Sequence, residues 1–132
     1  GKVQLEFIDY PLDRLAVIAA TLARSIPTKD GYIEAVSILL KKQKQWAYSK
    51  NPLNELKSIA KLFGISSKKF NEISQNIPLM QEIVTKMEKE SKNFDINSTP
   101  TFIVNEKYKI SGALSFKDFE KELLKSINAK KS

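Results

Sequence analysis

The side chains available for chemistry in this sequence are hydroxyls, carboxylates and lysines, because its 132 residues include no Cys and no His. Thiolate nucleophiles, structural zinc sites and imidazole bases are therefore excluded. Ser98, Thr99 and Ser111 carry hydroxyl groups, but lysine would be the only base able to activate them. Hydroxyls at turns and strand ends usually have structural roles. The sequence therefore predicts no catalytic residue, no metal site and no cofactor.

The positive charge of the chain allows several kinds of partner. Lys and Arg number 22 against 15 acids, giving a net charge of +7, which suits nucleic acid, an anionic membrane surface or acidic proteins. The lysines are spread between apolar helical positions, as on solvated helix faces. No helix-turn-helix, RNP-like strand or alternation of aromatic residues with Arg accompanies them. We therefore expect no specific nucleic-acid partner, and an anion binder is the least favoured functional hypothesis.

The elements that would position these side chains begin with a strand at Val3–Ile8, where apolar and polar residues alternate before Pro11. Apolar residues at helical spacing then predict helices over residues 12–24, about 30–45, 52–63, 66–73 and from 78 onward. Asn51 before Pro52 predicts a capped helix start. Gly64 predicts a left-handed helix end. The middle of the chain is therefore expected to be a block of short helices.

After residue 97 the pattern changes from helical to extended. Thr101–Val104 is β-branched and aromatic, residues 105–107 have turn composition, and Tyr108–Ile110 alternates again, which predicts a hairpin. Ser115 followed by Asp118 is a capping-box pattern and predicts the start of a last amphipathic helix. No repeat or linker indicates a second independent domain.

This order of strand, long helical block, hairpin and last helix resembles the DsbA-like branch of the thioredoxin fold. Three segments carry the resemblance, namely residues 1–13, the Thr99–Phe102 loop and Ser111–Phe116. The resemblance implies an α/β, thioredoxin-like fold with a helical insertion. It also implies that the N-terminal strand-helix unit of that family, which carries its Cys-x-x-Cys pair, is missing, so that the chain is a truncated or degenerate member.

The resemblance also implies how the chain is organised. Residues 1–132 would form one truncated DsbA-like domain. Within it, residues 11–97 would be mainly the helical insertion, and residues 98–132 would be the cis-proline loop, the hairpin and the last helix. Self-association, or completion of the sheet by a strand from elsewhere, is expected because the missing unit would leave backbone groups of the sheet unpaired. The alternative is that Val3–Ile8 leaves its family position and packs elsewhere, for example directly beside Thr101–Val104.

The resemblance places a substrate-binding loop at Thr99, Pro100 and Thr101. In that family a cis peptide bond before the proline presents backbone groups that hold the substrate as an extended strand. We therefore expect a cis bond before Pro100, although an X–Pro bond is cis in only about 5–6% of cases in folded proteins. The alternative is that Pro100 simply begins a strand, which is a tolerated position.

Glu6 allows two interpretations. A carboxylate buried beside a thiol pair has a raised pKa and can exchange a proton. On the solvent-facing side of an edge strand, together with Gln4, it would stay charged, and this second interpretation is favoured. A similar choice applies to the aromatic residues Tyr10, Trp46, Tyr48 and Phe94. They would form either an apolar client-binding surface or, as favoured here, helix-packing and rim contacts.

The function implied by the resemblance is thiol–disulfide exchange with client proteins in the periplasm or another extracytoplasmic compartment. Client proteins or peptides and a redox partner of the full-length form would be the partners. Since the reaction requires a thiolate, this chain alone is expected to be redox-inactive. The alternative is a non-enzymatic protein- or peptide-binding module, or a chaperone-like module, with a thioredoxin-like fold.

Overall fold

Seven α-helices and one hairpin form the regular structure of residues 3–131, the part of the chain that the computed structural model describes, with side chains to residue 128. In chain order these are α1 (Arg14–Arg24), α2 (Lys29–Lys41), α3 (Gln43–Ala47), α4 (Pro52–Ala60), α5 (Ser67–Ile73), α6 (Ile77–Phe94), β1 (Thr101–Val104), β2 (Tyr108–Ser111) and α7 (Phe116–Lys131). A single 3-10 turn, Lys61–Phe63, follows α4. Within the described residues, no helix is both long and apolar enough to cross a bilayer.

Side chains just before the helices determine where several of them start. The side chains of Asp13, Thr28 and Ser66 each accept a backbone N–H bond in the first turn of α1, α2 and α5. Ser115 does the same for Asp118 at the start of α7 (3.2 Å). These bonds satisfy N–H groups that have no partner inside a helix.

The chain divides into two compact units between Met87 and Glu88. The first unit is built on the packing of α1 to α5. Its core consists of Ile18, Ala19, Leu22, Ala23, Tyr32, Ala35, Leu39, Trp46, Leu56, Ile59, Ala60, Ile65, Phe70 and Ile73. Trp46 is buried, and its indole Nε1 donates a hydrogen bond of 2.9 Å to the Leu39 carbonyl. This bond satisfies the one polar group that the indole brings into the core.

The second unit contains the hairpin and α7. β1 and β2 pair antiparallel, with Thr101 opposite Ser111 and Val104 opposite Tyr108. The rings of Phe102 and Phe119 meet edge to face, with their centroids 4.7 Å apart. Tyr108 donates a hydrogen bond of 2.9 Å to Glu122. The contacts that pack α7 on the hairpin thus include an aromatic pair and a hydrogen bond.

Lys109 joins the hairpin to the end of α6. Its Nζ donates hydrogen bonds to the carbonyls of Asp95 (2.9 Å) and Phe94 (3.4 Å). These groups lie at the carboxyl end of the helix, where a positive charge is favourable and carbonyls lack intrahelical partners.

Two sequence predictions about the helical block are confirmed and two are wrong. Gly64 has a φ of 88°, as a left-handed helix end requires, and Pro52 occupies the first turn of α4. The side chain of Asn51 makes no capping hydrogen bond. The helix expected over about 30–45 is two helices, because the backbone leaves the helical region at Lys42 (φ −102°, ψ 15°). The apolar period continues past Lys42, so it hides the break.

The predicted strand at Val3–Ile8 is also wrong. No residue of this segment is assigned to a strand, and β1 and β2 form the whole sheet of the described residues. Alternating polarity indicates a strand only when a neighbouring strand supplies the hydrogen bonds. Instead, the Phe7 carbonyl accepts a hydrogen bond of 2.6 Å from Arg24. The Arg24 side chain of α1 thus fixes the end of the segment.

Candidate functional site

The predicted substrate loop, Thr99 to Thr101, is exposed and leads directly into β1. Thr99 and Pro100 are exposed, Thr101 is half-buried, and the Thr99–Pro100 peptide bond is cis. The Thr101 hydroxyl donates a hydrogen bond of 2.7 Å to the Ser98 carbonyl, which closes the loop on itself. The loop therefore has a defined conformation and remains accessible to other molecules.

The register of the hairpin determines which way the backbone of β1 faces. The Pro100 carbonyl accepts a hydrogen bond of 2.9 Å from the Gly112 N–H, just outside the Thr101–Ser111 pair. This bond identifies Thr101–Ser111 as a non-hydrogen-bonded pair, whose members turn their N–H and C=O groups away from the partner strand. Because pairs alternate in type, Ile103 opposite Lys109 does the same.

The outer side of β1 is therefore an unpaired strand edge within the part of the chain that the structure describes. Thr101 and Ile103 direct one N–H and one C=O each toward it, and β2 is the only strand that pairs with β1 there. Such an edge is a template for an added strand. It can bind an extended peptide through the main chain, and it has no group that could act as a nucleophile.

The Thr101 and Ser111 hydroxyls near the loop are not hydrogen-bonded to a lysine or carboxylate among the described contacts. Thr101 uses its hydroxyl within the loop, and Ser111 is exposed on β2. Among the side chains described, no three Asp or Glu residues cluster closely enough to hold a metal ion. Nothing at this position of the second unit activates a hydroxyl group.

A second concave surface lies in the first unit, between the segment at residues 4–7 and the turn from α1 to α2. This groove has a volume of about 380 Å³. Its lining combines apolar residues with charged ones: Gln4, Leu5, Glu6, Phe7, Arg24, Ile26, Pro27, Thr28, Lys29, Tyr32 and Lys86. Grooves of this size and mixed lining suit side chains or small ligands.

Arg24 and Tyr32, which line this groove, form a network with Asp9. Arg24 Nε donates to Asp9 Oδ2 at 2.6 Å, and the Tyr32 hydroxyl donates to Asp9 Oδ1 at 2.8 Å. The guanidinium carbon lies 4.0 Å from the centre of the Tyr32 ring. Burial, together with the hydrogen bond to Asp9, raises the pKa of Tyr32 far above its ordinary value of 10. The phenol therefore stays protonated and cannot serve as a base.

Glu6 lies at the rim of the groove and is exposed, as the favoured sequence interpretation predicts, but it lies in an irregular segment and not on an edge strand. Its Oε1 is 2.7 Å from Lys86 Nζ. The hydrogen bond from Lys86, and then its charge, lower the pKa of Glu6 below the ordinary value of 4.5. A carboxylate that is ionised throughout the neutral range is an acceptor, not a proton donor, so the proton-exchange interpretation of Glu6 is wrong.

The four aromatic residues named from the sequence have different surroundings. Trp46 belongs to the core, as favoured, whereas Tyr48 is 83% exposed. Tyr10 and Phe94 are half-buried. Because Trp46 is buried in the core, these four side chains do not form one continuous apolar client surface.

No pattern in the sequence predicts the Arg24–Asp9–Tyr32 network. From the sequence, Asp9 is predicted to end a strand, and Arg24 and Tyr32 are predicted to lie in two successive helices. Their contacts span 15 and 23 residues along the chain. Single-sequence patterns report local periodicity and do not report such pairings.

Comparison with known proteins gives one result. A family profile described as Thioredoxin matches residues 1–125. No curated protein and no solved structure matches the chain. The family match extends over the helical block, the loop at Thr99 to Thr101, the hairpin and most of α7.

Proposed function

This chain belongs to the thioredoxin family, and from that premise we propose that it binds extended segments of client proteins along the outer edge of β1, beside Thr99, Pro100 and Thr101. Its mixed helices and small sheet fit a thioredoxin-like α/β fold. The observation that carries the proposal is the outward direction of the Thr101 and Ile103 backbone groups. Main-chain pairing of this kind binds many sequences, as a protein acting on varied clients requires.

The activity that such binding would serve is thiol–disulfide exchange of the DsbA-like type in the periplasm or another extracytoplasmic compartment. The 132 residues contain no cysteine, so these residues would contribute client binding and not the redox step. Thiol chemistry would have to come from a cysteine pair outside this sequence. The helical insertion at residues 11–97 and the loop-hairpin part at residues 98–132 belong to the same proposal.

A cysteine-less binding or chaperone-like module is the second candidate. It is favoured by the lack of cysteine in the 132 residues. Both candidates predict the same peptide binding, so binding alone does not separate them. The encoding reading frame separates the two candidates, because a Cys-x-x-Cys segment upstream of Gly1 in the same frame favours the oxidoreductase.

The binding test uses a reduced and carbamidomethylated unfolded protein, whose blocked thiols exclude disulfide chemistry, and measures its binding by calorimetry. The informative variant is Thr101→Pro, which removes the outward N–H at the start of β1, where proline is tolerated. Thr101→Val is the matched control, because it loses the hydroxyl but keeps the N–H. We expect the proline variant to bind about two- to tenfold more weakly, as the loss of one main-chain hydrogen bond implies.

Circular dichroism of both variants must show wild-type helix content. If Thr101→Pro and Thr101→Val bind the unfolded protein as well as wild type does, the edge of β1 is not the docking site. Absence of binding by the wild-type chain would exclude both candidate functions.

A further inference from the structure

The net charge of the chain is confined to one stretch of the first unit. Residues 40–69, called the basic block below, contain eight lysines and one acid, Glu55, which accounts for the full +7. The other residues balance, with 14 basic and 14 acidic side chains. The lysines of the block are Lys41, Lys42, Lys44, Lys50, Lys57, Lys61, Lys68 and Lys69. The positive field of the protein therefore comes from the end of α2, from α3, α4 and α5, and from the turns between them.

These lysines are available to a partner. Six of the eight are exposed, and Lys42 and Lys57 are half-buried. Lys69 lies 3.7 Å from Glu72, and the other seven form no ion pair within the described part of the chain. The acid of the block, Glu55, accepts a hydrogen bond of 2.8 Å from Gln45 instead. The positive charge of the block is thus not neutralised from within.

Large apolar side chains stand exposed among the lysines. Leu40, Tyr48, Leu53 and Leu62 are 63%, 83%, 47% and 58% exposed. Leu53 precedes Lys57 by one turn of α4, so these two residues lie on the same side of that helix, and Lys61 follows in the 3-10 turn. Lysines that flank protruding Leu and Tyr side chains are typical of segments that lie on an anionic bilayer.

We propose that the basic block binds an anionic lipid surface, with its lysines at the phosphate headgroups and Tyr48, Leu40 and Leu62 entering the interface. Nucleic acid fits the block less well, because residues 40–69 include no arginine, the residue that contacts phosphates and bases bidentately. Exposed leucines add nothing to phosphate-backbone binding but contribute directly to insertion among lipids.

The test is flotation of the full 132-residue chain with vesicles at 0.15 M salt. Vesicles of phosphatidylcholine with about 30 mol% phosphatidylglycerol supply the anionic surface, and vesicles of pure phosphatidylcholine are the neutral comparison. The block variant is Lys44→Gln with Lys61→Gln and Lys68→Gln. The matched control is Lys89→Gln with Lys107→Gln and Lys117→Gln, which removes the same charge from exposed positions elsewhere.

Each lysine near an anionic surface contributes about a fivefold factor to partitioning. We therefore expect the block variant to partition on the order of a hundredfold more weakly, and the control to lose less than about fivefold. The double variant Tyr48→Ser with Leu62→Gln should also bind anionic vesicles more weakly while keeping its charge.

Three results would overturn the proposal. The first is equal binding to neutral and anionic vesicles. The second is an equal loss in the block variant and its control, since net charge alone would then explain the binding. The third is tighter binding to a single-stranded or duplex oligonucleotide, unaffected by Tyr48→Ser with Leu62→Gln, which would assign the block to nucleic acid.

Discussion

Arg24 Nε lies 2.6 Å from Asp9 Oδ2, and the two residues are separated by 14 others along the chain. The same guanidinium donates to the Phe7 carbonyl and stacks on Tyr32. The Asp9 side chain is 15% exposed. This pair therefore attaches the segment before α1 to the helices of the first unit, and it does so with little competition from water.

Replacing Asp9 with Asn tests this attachment. The substitution keeps a hydrogen-bond acceptor but removes the charge, so we expect the free energy of unfolding to fall by about 1–3 kcal/mol, as for hydrogen bonds that involve charged groups. Glu6→Gln is the matched control, because the Glu6–Lys86 pair is exposed and should contribute less than about 1 kcal/mol. Urea titration measures both changes. Equal losses in the two variants would contradict the role given to Asp9.

The Glu6–Lys86 pair makes a prediction about pH. Lys86 lowers the pKa of Glu6 below 4.5 in the folded chain. Between the folded and the unfolded pKa, Glu6 therefore binds more protons in the unfolded chain than in the folded chain. The small stabilisation from the pair is therefore complete above pH 4.5 and is lost as the pH falls through the folded pKa. An NMR titration of the Glu6 carboxyl should give a lower pKa in wild type than in Lys86→Met. Identical titration curves would show that the pair does not form in solution.

The purified chain should show no thiol–disulfide exchange, because the reaction proceeds through a thiolate and the sequence contains no cysteine. Insulin reduction and oxidative refolding of a reduced client should proceed at the rate of buffer alone. Activity that persists through a second purification would mean that the chain catalyses the reaction by other groups.

Self-association is expected through unpaired extended backbone and exposed apolar side chains. Val3 and Leu5 are 84% and 54% exposed, in a segment with no strand partner among the described residues, and β1 has an open edge. Light scattering should show a mass that rises with protein concentration. Leu5→Lys should reduce this rise, whereas Leu114→Lys, at a 41% exposed position of the second unit, tests whether any added charge has the same effect. A constant monomer mass would refute the prediction.

Part of the fold could be predicted from residues that are close together in the sequence. Ser66 and Ser115 cap the helices that follow them, and Gly64 ends the preceding turn with positive φ. Each of these features depends on residues within a few positions of one another. The hairpin was predictable for the same reason, since its two strands are joined by a short turn.

The features of the fold and the site that could not be predicted depend on contacts between residues far apart in the sequence. Val3–Ile8 has the alternation of a strand, but a strand needs a neighbour, and the sequence does not identify one. The site was predictable as a loop at Thr99 to Thr101, whereas the outward direction of the Ile103 backbone follows only from the observed register. The contacts of Asp9 with Arg24 and Tyr32 likewise appear only once α1 and α2 have packed.

The fluorescence of Trp46 reports on the first unit alone. It is the single tryptophan of the chain, it is 6% exposed, and its indole is hydrogen-bonded inside the core formed by α1 to α5. Its emission should shift to longer wavelength when that core opens, whereas far-ultraviolet circular dichroism follows helices in both units. Comparing the two signals during denaturation therefore measures whether the hairpin and α7 lose their structure together with the helical core or at a different denaturant concentration.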